Sequence, residues 1–325
     1  AYSTPYLAKD YRDGKGRRAI RSYMDNGYIP LEDMVEEAFH TNEQTSRTLE
    51  YAYDDYAVAQ MAKALHDSCQ DASLRQKYLE DYNDLMRRSE NWRNVINPAT
   101  GWADGRYENG KWENNEDLVH RKSYITEGAT CHYTWYVPQN PEGLFEVIRN
   151  SKPMDKQEKQ IEKMERKMEK KGEIPVRNEK VIARLDKMFD NGWYWHGNEP
   201  CHQVAYLYDA AGAPEKTQER VHHILQTEYN DTPGGLSGND DAGQMSAWYV
   251  FSSIGFYPVC PRTPYYYIGT PSFDKVTLNL ENGRKFILSA DGVSKDAFYI
   301  QKMSLNDKTF WGYKLSHKDI LNGGK

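Results

Sequence analysis

The sequence predicts a mainly α protein: an α/α toroid of paired helices, incomplete in this chain, followed by a small β-sheet region. Three observations predict it. Apolar residues recur at helical spacing from about Leu31 to Gly255. Short connections join successive helical stretches, as in antiparallel helical hairpins. Beyond Pro258 the period drops to two. Residues 1–258 therefore read as the helical region, and residues 259–325 as the start of a β-domain.

The first clear helix is "SRTLEYAYDDYAVAQMAKALHD", with Ser46 in the capping position and Val58, Met61, Ala62 and Leu65 on one face. "SLRQKYLEDYNDLMRRSENWRNVINP" follows, with Tyr78, Tyr82, Leu85 and Met86 on one stripe and Pro98 as its stop. Glu50, Asp54 and Asp55 crowd one turn of the first helix. Like charges at that spacing cost helix stability, so either Arg47 separates them or they are held for a ligand.

"NPATGWADGRYENGKW" reads as a loop, and "ATCHYTWYVP" as a short helix stopped before Pro138. "GLFEVIRN", "VIARLDKMF", "CHQVAYLYDAAG" and "KTQERVHHILQTEY" each read as a helix of a few turns. From Lys152 to Glu173 the chain is densely charged, with Met154, Ile161, Met164 and Met168 as a thin stripe. That predicts a solvated helix with one buried seam; a partner-binding helix is the alternative. Val276, Leu278 and Leu280, a turn at Asn282-Gly283, and then Phe286 and Leu288 predict a β-hairpin. A second strand pair is expected around Asn306-Asp307.

Composition excludes some functions. With a net charge of −6, nothing marks a nucleic-acid binder. No apolar run approaches a membrane span, so no membrane insertion is expected. The first residues hold no apolar signal core. Cys69, Cys131, Cys201 and Cys260 lack CxxC spacing, which argues against zinc and leaves buried thiols or up to two disulfides. The 25 Tyr and 8 Trp suit a groove for a polar ligand such as a sugar, though core duty explains them equally well.

Three loops place an acid beside glycine or at a helix start. In "SYITEGATCHYTWYVP", Glu127 is flanked by Tyr124, Tyr133 and Trp135. Partial desolvation there would raise its pKa and suit a general acid. In "WYWHGNEPCHQ", Asn198 and Glu199 sit in a tight turn that supplies hard oxygen donors of the kind Ca²⁺ takes. Trp193, Trp195 and His196 stand beside it as walls for a sugar. In "GGLSGNDDAGQMSAWYVFSSIGFYP", Asp241 and Gln244 form a capping-box pattern, while Met245, Trp248, Val250 and Phe251 bury the helix and Gly255 ends it. The glycines ahead of Asp241 permit close approach of a ligand. Each acid also has an ordinary structural reading as a cap. No GxSxG, phosphate-loop or HExxH motif is present.

Four segments together, "SRTLEYAYDDYAVAQMAKAL", "YITEGATCHYTWYVP", "HGNEPCHQVAYLYDAAGAP" and "GGLSGNDDAGQMSAWYVFSSIGFYPVCP", resemble glycoside hydrolase family 92 in order and spacing. This family comprises calcium-dependent exo-acting α-mannosidases, found mainly in bacteria. The resemblance implies a β-sandwich ahead of the (α/α)6 barrel, with the present chain beginning inside the barrel and the missing domain packing on it. It implies Glu127 as the general acid, Asp241 as the general base with Asp240 as second candidate, and Asn198 and Glu199 at Ca²⁺. Trp195, His196 and Asn239 would line the terminal sugar. The implied substrate is a mannose-containing glycan, with α-1,2 linkage as the default, cleaved with inversion in a secreted, periplasmic or cell-surface protein. Inversion sets the two carboxyls roughly 6.5–9.5 Å apart. The alternative is a non-catalytic carbohydrate-binding fragment or degenerate relative.

Overall fold

The computed structural model describes residues 16–34, 41–173 and 175–325. It is mainly helical with small antiparallel sheets, as the sequence predicts. The chain forms two compact units, Ala1–Met154 and Asp155–Lys325.

The first unit contains α1 (Ile20–Asn26), α2 (Gln44–Ser68), α3 (Ala72–Arg88), a two-stranded sheet of β1 (Ile96–Asn97) and β2 (Trp102–Ala103), α4 (Thr130–Tyr133) and α5 (Pro141–Asn150). α2 and α3 form the expected antiparallel hairpin. Asp71 caps α3 by accepting from the Leu74 N–H, and Asn140 caps α5 by accepting from the Gly143 N–H.

The inward face of α2 differs from the one expected. Val58, Met61 and Leu65 are exposed, and the buried positions from Leu49 onward are Leu49, Ala52, Asp55, Ala59 and Ala62. Small side chains let the hairpin close tightly, and Asp55 is turned inward by cations. It accepts from Arg88 Nε at 3.0 Å, Arg17 Nη1 at 2.7 Å and the Tyr23 hydroxyl at 2.9 Å. Arg17 and Arg88, rather than Arg47, thus resolve the acid crowding; Arg47 pairs with Glu43. Ser46 is not the cap either. It lies inside α2, and its hydroxyl accepts the Thr126 N–H.

The second unit begins with α6 (Lys156–Glu169) against α7 (Glu179–Asp190). The buried side of α6 is ionic, not the Met/Ile stripe: Arg184 clasps Glu158 through Nε at 3.0 Å and Nη2 at 3.1 Å, with both side chains fully buried. Lys180 meets Glu162 at 2.8 Å. The stretch 201–212, expected as one helix, is broken up: 3₁₀ turns at Glu199–Cys201 and Val204–Tyr206 lead into the short α8 (Leu207–Ala210). Side chains draw on the backbone of this buried stretch: the Pro200 carbonyl accepts from Gln203, and the His202 carbonyl from the Trp248 indole. Two further helices, α9 (Pro214–Thr227) and α10 (Gln244–Ile254), complete the helical part.

Beyond α10 the chain forms β3 (Phe256–Tyr257), β4 (Tyr265–Ile268), β5 (Lys275–Asn279), β6 (Lys285–Ser289), β7 (Met303–Leu305), β8 (Lys308–Phe310), β9 (Lys314–Ser316) and α11 (His317–Asn322). The β5–β6 hairpin turns at Gly283, and β7–β8 at Asn306 and Asp307, both with positive φ, as predicted. β3, β4 and β9 make one antiparallel sheet. Phe256, Phe286, Leu315 and Ile320 form its core, with Leu278 and Leu288 packed on them. None of the four cysteines is in a disulfide. Burial pushes the Cys131 and Cys260 thiols up to about 12, so neither is a thiolate nucleophile at neutral pH.

Candidate active site

In the first unit, Glu127 sits in a loop pinned from both sides. Before it, Ser46 on α2 holds Thr126 through the backbone N–H and a hydroxyl–hydroxyl contact of 2.9 Å. After it, the Ala129 N–H donates to His132 Nδ1. Glu127 itself takes a left-handed φ of 49° and is exposed. Tyr124, Tyr133 and Trp135 are themselves buried in the core, with the Tyr133 ring close to Gly128 beside it.

In the second unit, two of the predicted loops meet backbone to backbone. A Cβ on Gly197 would stand 2.6 Å from the Ser237 carbonyl oxygen, and one on Gly238 would run into the Gly197 carbonyl. Only glycine at both positions allows this approach. It places Asn198 and Glu199, at a turn opening a 3₁₀ helix, against the loop that carries Asn239, Asp240 and Asp241. Gly238 thus serves loop-on-loop packing rather than the expected approach of a ligand.

The predicted capping box is not formed. α10 begins at Gln244 with Gly243 as N-cap. Asp240 satisfies the helix start instead: its Oδ1 accepts the Ser246 N–H at 2.9 Å, and its carbonyl accepts from Gly243 and Met245. Asp241 is lifted out of the helix start at φ 41°, exposed, with no side-chain hydrogen bond among the described residues. Met245 and Trp248 are buried as expected and Gly255 ends the helix, but Val250 faces solvent.

Beneath these loops lies a web of aromatic rings and two histidines. His196 is buried; its Nδ1 and Nε2 lie 2.6 Å from the hydroxyls of Tyr194 and Tyr229. The Tyr229 hydroxyl donates to the Met245 carbonyl, so its oxygen must accept from His196 Nε2–H. A neutral His196 then accepts the Tyr194 hydroxyl proton at Nδ1. His202 Nε2 faces the His196 carbonyl at 3.0 Å and must donate to it, which leaves Nδ1 to accept from the Gln244 amide at 3.1 Å. Burial is the chief reason both rings stay neutral, with pKa values lowered to about 3 for His196 and about 4 for His202.

Trp195 is 45% exposed and Asn239 is exposed, so both are open to a ligand. His196, expected as a sugar-lining residue, has both nitrogens engaged within the web, a placement that suits positioning. The sequence reading did not include His202, Gln244, Tyr194 or Tyr229 as a unit. Only the motif position of Gln244 hinted at it.

The donors at Asn198 and Glu199 are hard oxygens, the kind calcium takes. Among the described residues no group of three His, Cys, Asp or Glu side chains gathers as a metal site. The turn fits as part of a calcium shell, with the balance of the ligands left to carbonyls, water or substrate.

Glycoside hydrolysis uses two carboxyl groups, and each unit presents an exposed candidate, Glu127 in the first and Asp241 in the second. The sequence profile of the glycosyl hydrolase family 92 catalytic domain matches residues 2–325, and the chain belongs to this family. It is similar to a family GH92 α-mannosidase from Bacteroides thetaiotaomicron, with 35% identity and a TM-score of 0.76 over 95% of this chain and 36% of that one. That α-mannosidase has also been solved in complex with mannoimidazole. A family GH92 inverting mannosidase from the same organism is 32% identical, with a TM-score of 0.75, over 95% of this chain and 39% of that one. A secreted glycosidase of Arthroderma benhamiae is 29% identical over 337 residues, 95% of this chain and 38% of the relative. The chain thus spans under two-fifths of the length of these relatives.

Proposed function

We propose that the chain carries the catalytic region of an exo-acting, inverting α-mannosidase that removes terminal non-reducing α-linked mannose, by default α-1,2-linked, from a glycan. The observation that carries this reading is the division of labour between the adjacent aspartates. Asp240 spends its carboxylate on the start of α10, which leaves Asp241 as an uncommitted, solvent-facing carboxylate among the described residues. That is what a general base needs to orient and deprotonate a water. Similarity to the two mannosidases and the mannoimidazole complex supports the substrate class.

In this mechanism Asp241 takes a proton from water as the water attacks the anomeric carbon. Glu127, protonated, gives its proton to the departing glycosidic oxygen. Trp195 and Asn239 bind the sugar, and the histidine web beneath holds the two loops of the second unit in register. Asn198 and Glu199 would hold Ca²⁺, which when bound polarises sugar hydroxyls as a Lewis acid. The secreted relative supports a secreted, periplasmic or cell-surface setting.

The test is release of mannose from an α-mannoside with calcium present, followed by NMR of the newborn anomer. β-Mannose is expected first. Asp241→Asn should lose at least about 10²-fold in kcat, within the usual range for a general base, and Asp240→Asn much less. Glu127→Gln should be spared on a substrate with an activated aryl leaving group. Initial α-mannose would remove inversion, and equal losses on both substrates would remove the acid role. No mannose release at all would favour a carbohydrate-binding role for the chain.

A further inference from the structure

Helix α6 sorts its charges by face. Glu158, Glu162, Glu165 and Glu169 recur at spacings of four, three and four, which places them on one stripe. Glu158 and Glu162 at the head of that stripe are committed to Arg184 and Lys180 on α7. Lys187 adds a third cation from α7, 2.8 Å from Asp155 and 3.7 Å from Glu158. The helix is therefore held to its neighbour by the first two acids of the stripe. Its cations lie on another face.

Lys156, Lys159, Lys163, Arg166 and Lys170 follow one another at spacings of three or four, with Lys167 beside Arg166, and all six are exposed. Of these, only Arg166 has an ion pair among the described residues, 3.7 Å to Glu162. The stripe runs the length of a 14-residue helix, about 21 Å. Such a concentration of unpaired cation is out of keeping with a chain whose net charge is −6. It extends past the helix end through Lys171. Two apolar side chains of the same stretch are uncovered: Met164 is 62% exposed on the helix, and Val176, in the connection to α7, is 94% exposed.

We propose that α6 is a docking surface for an anionic lipid bilayer, lying on it rather than across it. The basic stripe matches anionic headgroups, and Met164 and Val176 supply apolar contact at the headgroup boundary. Basic residues beside exposed apolar ones are the signature of interfacial binding. A soluble polyanion would match the lysines equally but has no use for uncovered Met164 and Val176, so the bilayer is the better fit. No described helix is long and apolar enough to cross a membrane, which agrees with peripheral attachment. The function is retention of the protein at a surface, and it does not depend on the glycosidase reading.

The test is co-sedimentation of the chain with phosphatidylcholine vesicles, with and without phosphatidylserine, at low and high salt. Binding is expected only to the anionic vesicles and only at low salt. The double variant Lys163→Glu with Lys167→Glu should weaken vesicle binding at least about tenfold. Met164→Ser should weaken it severalfold. Both should leave the far-UV circular dichroism and the release of mannose from a soluble α-mannoside unchanged, since neither alters the ion pairs to α7. Equal binding to neutral vesicles, or parent-like binding by the double variant, would overturn the proposal. So would binding of soluble dextran sulfate with no vesicle binding, which would assign the stripe to a soluble polyanion.

Discussion

The second unit buries polar groups in two places, and it does so by opposite means. Between α6 and α7 the buried groups are full charges, with Glu158 clasped by Arg184 in a two-point contact and Lys180 set on Glu162. Under α10 they are neutral rings, with His196 and His202 held uncharged among tyrosines, Gln244 and carbonyl oxygens. Burying a charge is tolerable only when the partner charge is present. A neutral hydrogen-bonded ring carries a smaller penalty but must keep its proton count fixed. The first device therefore fails when a partner is deleted, and the second fails when the solution is acidified.

The ion seam should give the largest effect. Arg184→Ala leaves the Glu158 carboxylate buried without its principal partner, which costs about 3–5 kcal/mol. Chemical denaturation is the measurement. Replacing both members, Glu158→Leu with Arg184→Met, should recover most of that loss or exceed the parent, because desolvation of the two ions is removed with their attraction. If the double variant were as unstable as Arg184→Ala, the pair would be a net stabiliser and the contrast with the histidine web would weaken.

The two regions also differ in how legible they were. Helical period and turn residues located α2, α3, α5, α9 and α10 and both β-hairpins, because those elements are determined by local pattern. Sequence pattern did not show that α6 turns its acids inward, because the cations that draw them lie on another helix. The exposure of Val58, Met61 and Leu65 on α2 has the same cause: Asp55 is drawn to Arg17 and Arg88 from other segments. At the site, the motif loops were legible as candidates. The exchange of roles between Asp240 and Asp241 was not, since it depends on a left-handed turn at Asp241 and Ala242. The histidine web was invisible for a similar reason. Tyr194, Tyr229 and Gln244 are far apart in sequence and are joined through the rings of His196 and His202.

Acid should open the web next. The folded-state pKa values of His196 and His202, about 3 and 4, lie below the value near 6.5 of an unfolded chain. Below pH 6.5 the unfolded chain gains protons that the folded chain does not, so stability is present above that pH. It falls as the pH drops toward the folded values. The loss is about 2–3 kcal/mol for each ring by pH 4.5. His202→Gln keeps one donor and one acceptor but cannot titrate. Its stability should fall less steeply than the parent's between pH 6.5 and 4.5, read from urea midpoints. Equal slopes would show that His202 does not sense the acid. The ion seam has no histidine, so Glu158→Leu with Arg184→Met should leave this part of the curve in place.

Glu50 in the first unit sharpens the comparison by removing one element of it, the cation. Like Glu158 it is a glutamate on a helix, but its neighbours are the Tyr136 hydroxyl and the Asp54 carboxylate. Desolvation by burial, with a smaller contribution from Asp54, raises its pKa to about 7, against which the Tyr136 hydrogen bond pulls downward. The folded state holds this proton more tightly than the unfolded chain, whose glutamates titrate near 4.5. The stabilising contribution is therefore complete below about pH 4.5 and is lost as pH rises through about 7. Glu50→Gln mimics the protonated form at every pH. It should raise stability by about 2 kcal/mol at pH 8 and change it little at pH 4.5, again by urea denaturation. Moving a cation into reach should abolish that benefit by turning Glu50 into a second Glu158. A Glu50→Gln variant that is less stable than the parent at pH 8 would show that the carboxylate already has a compensating charge. Burial without a cation would then not be what separates the two glutamates.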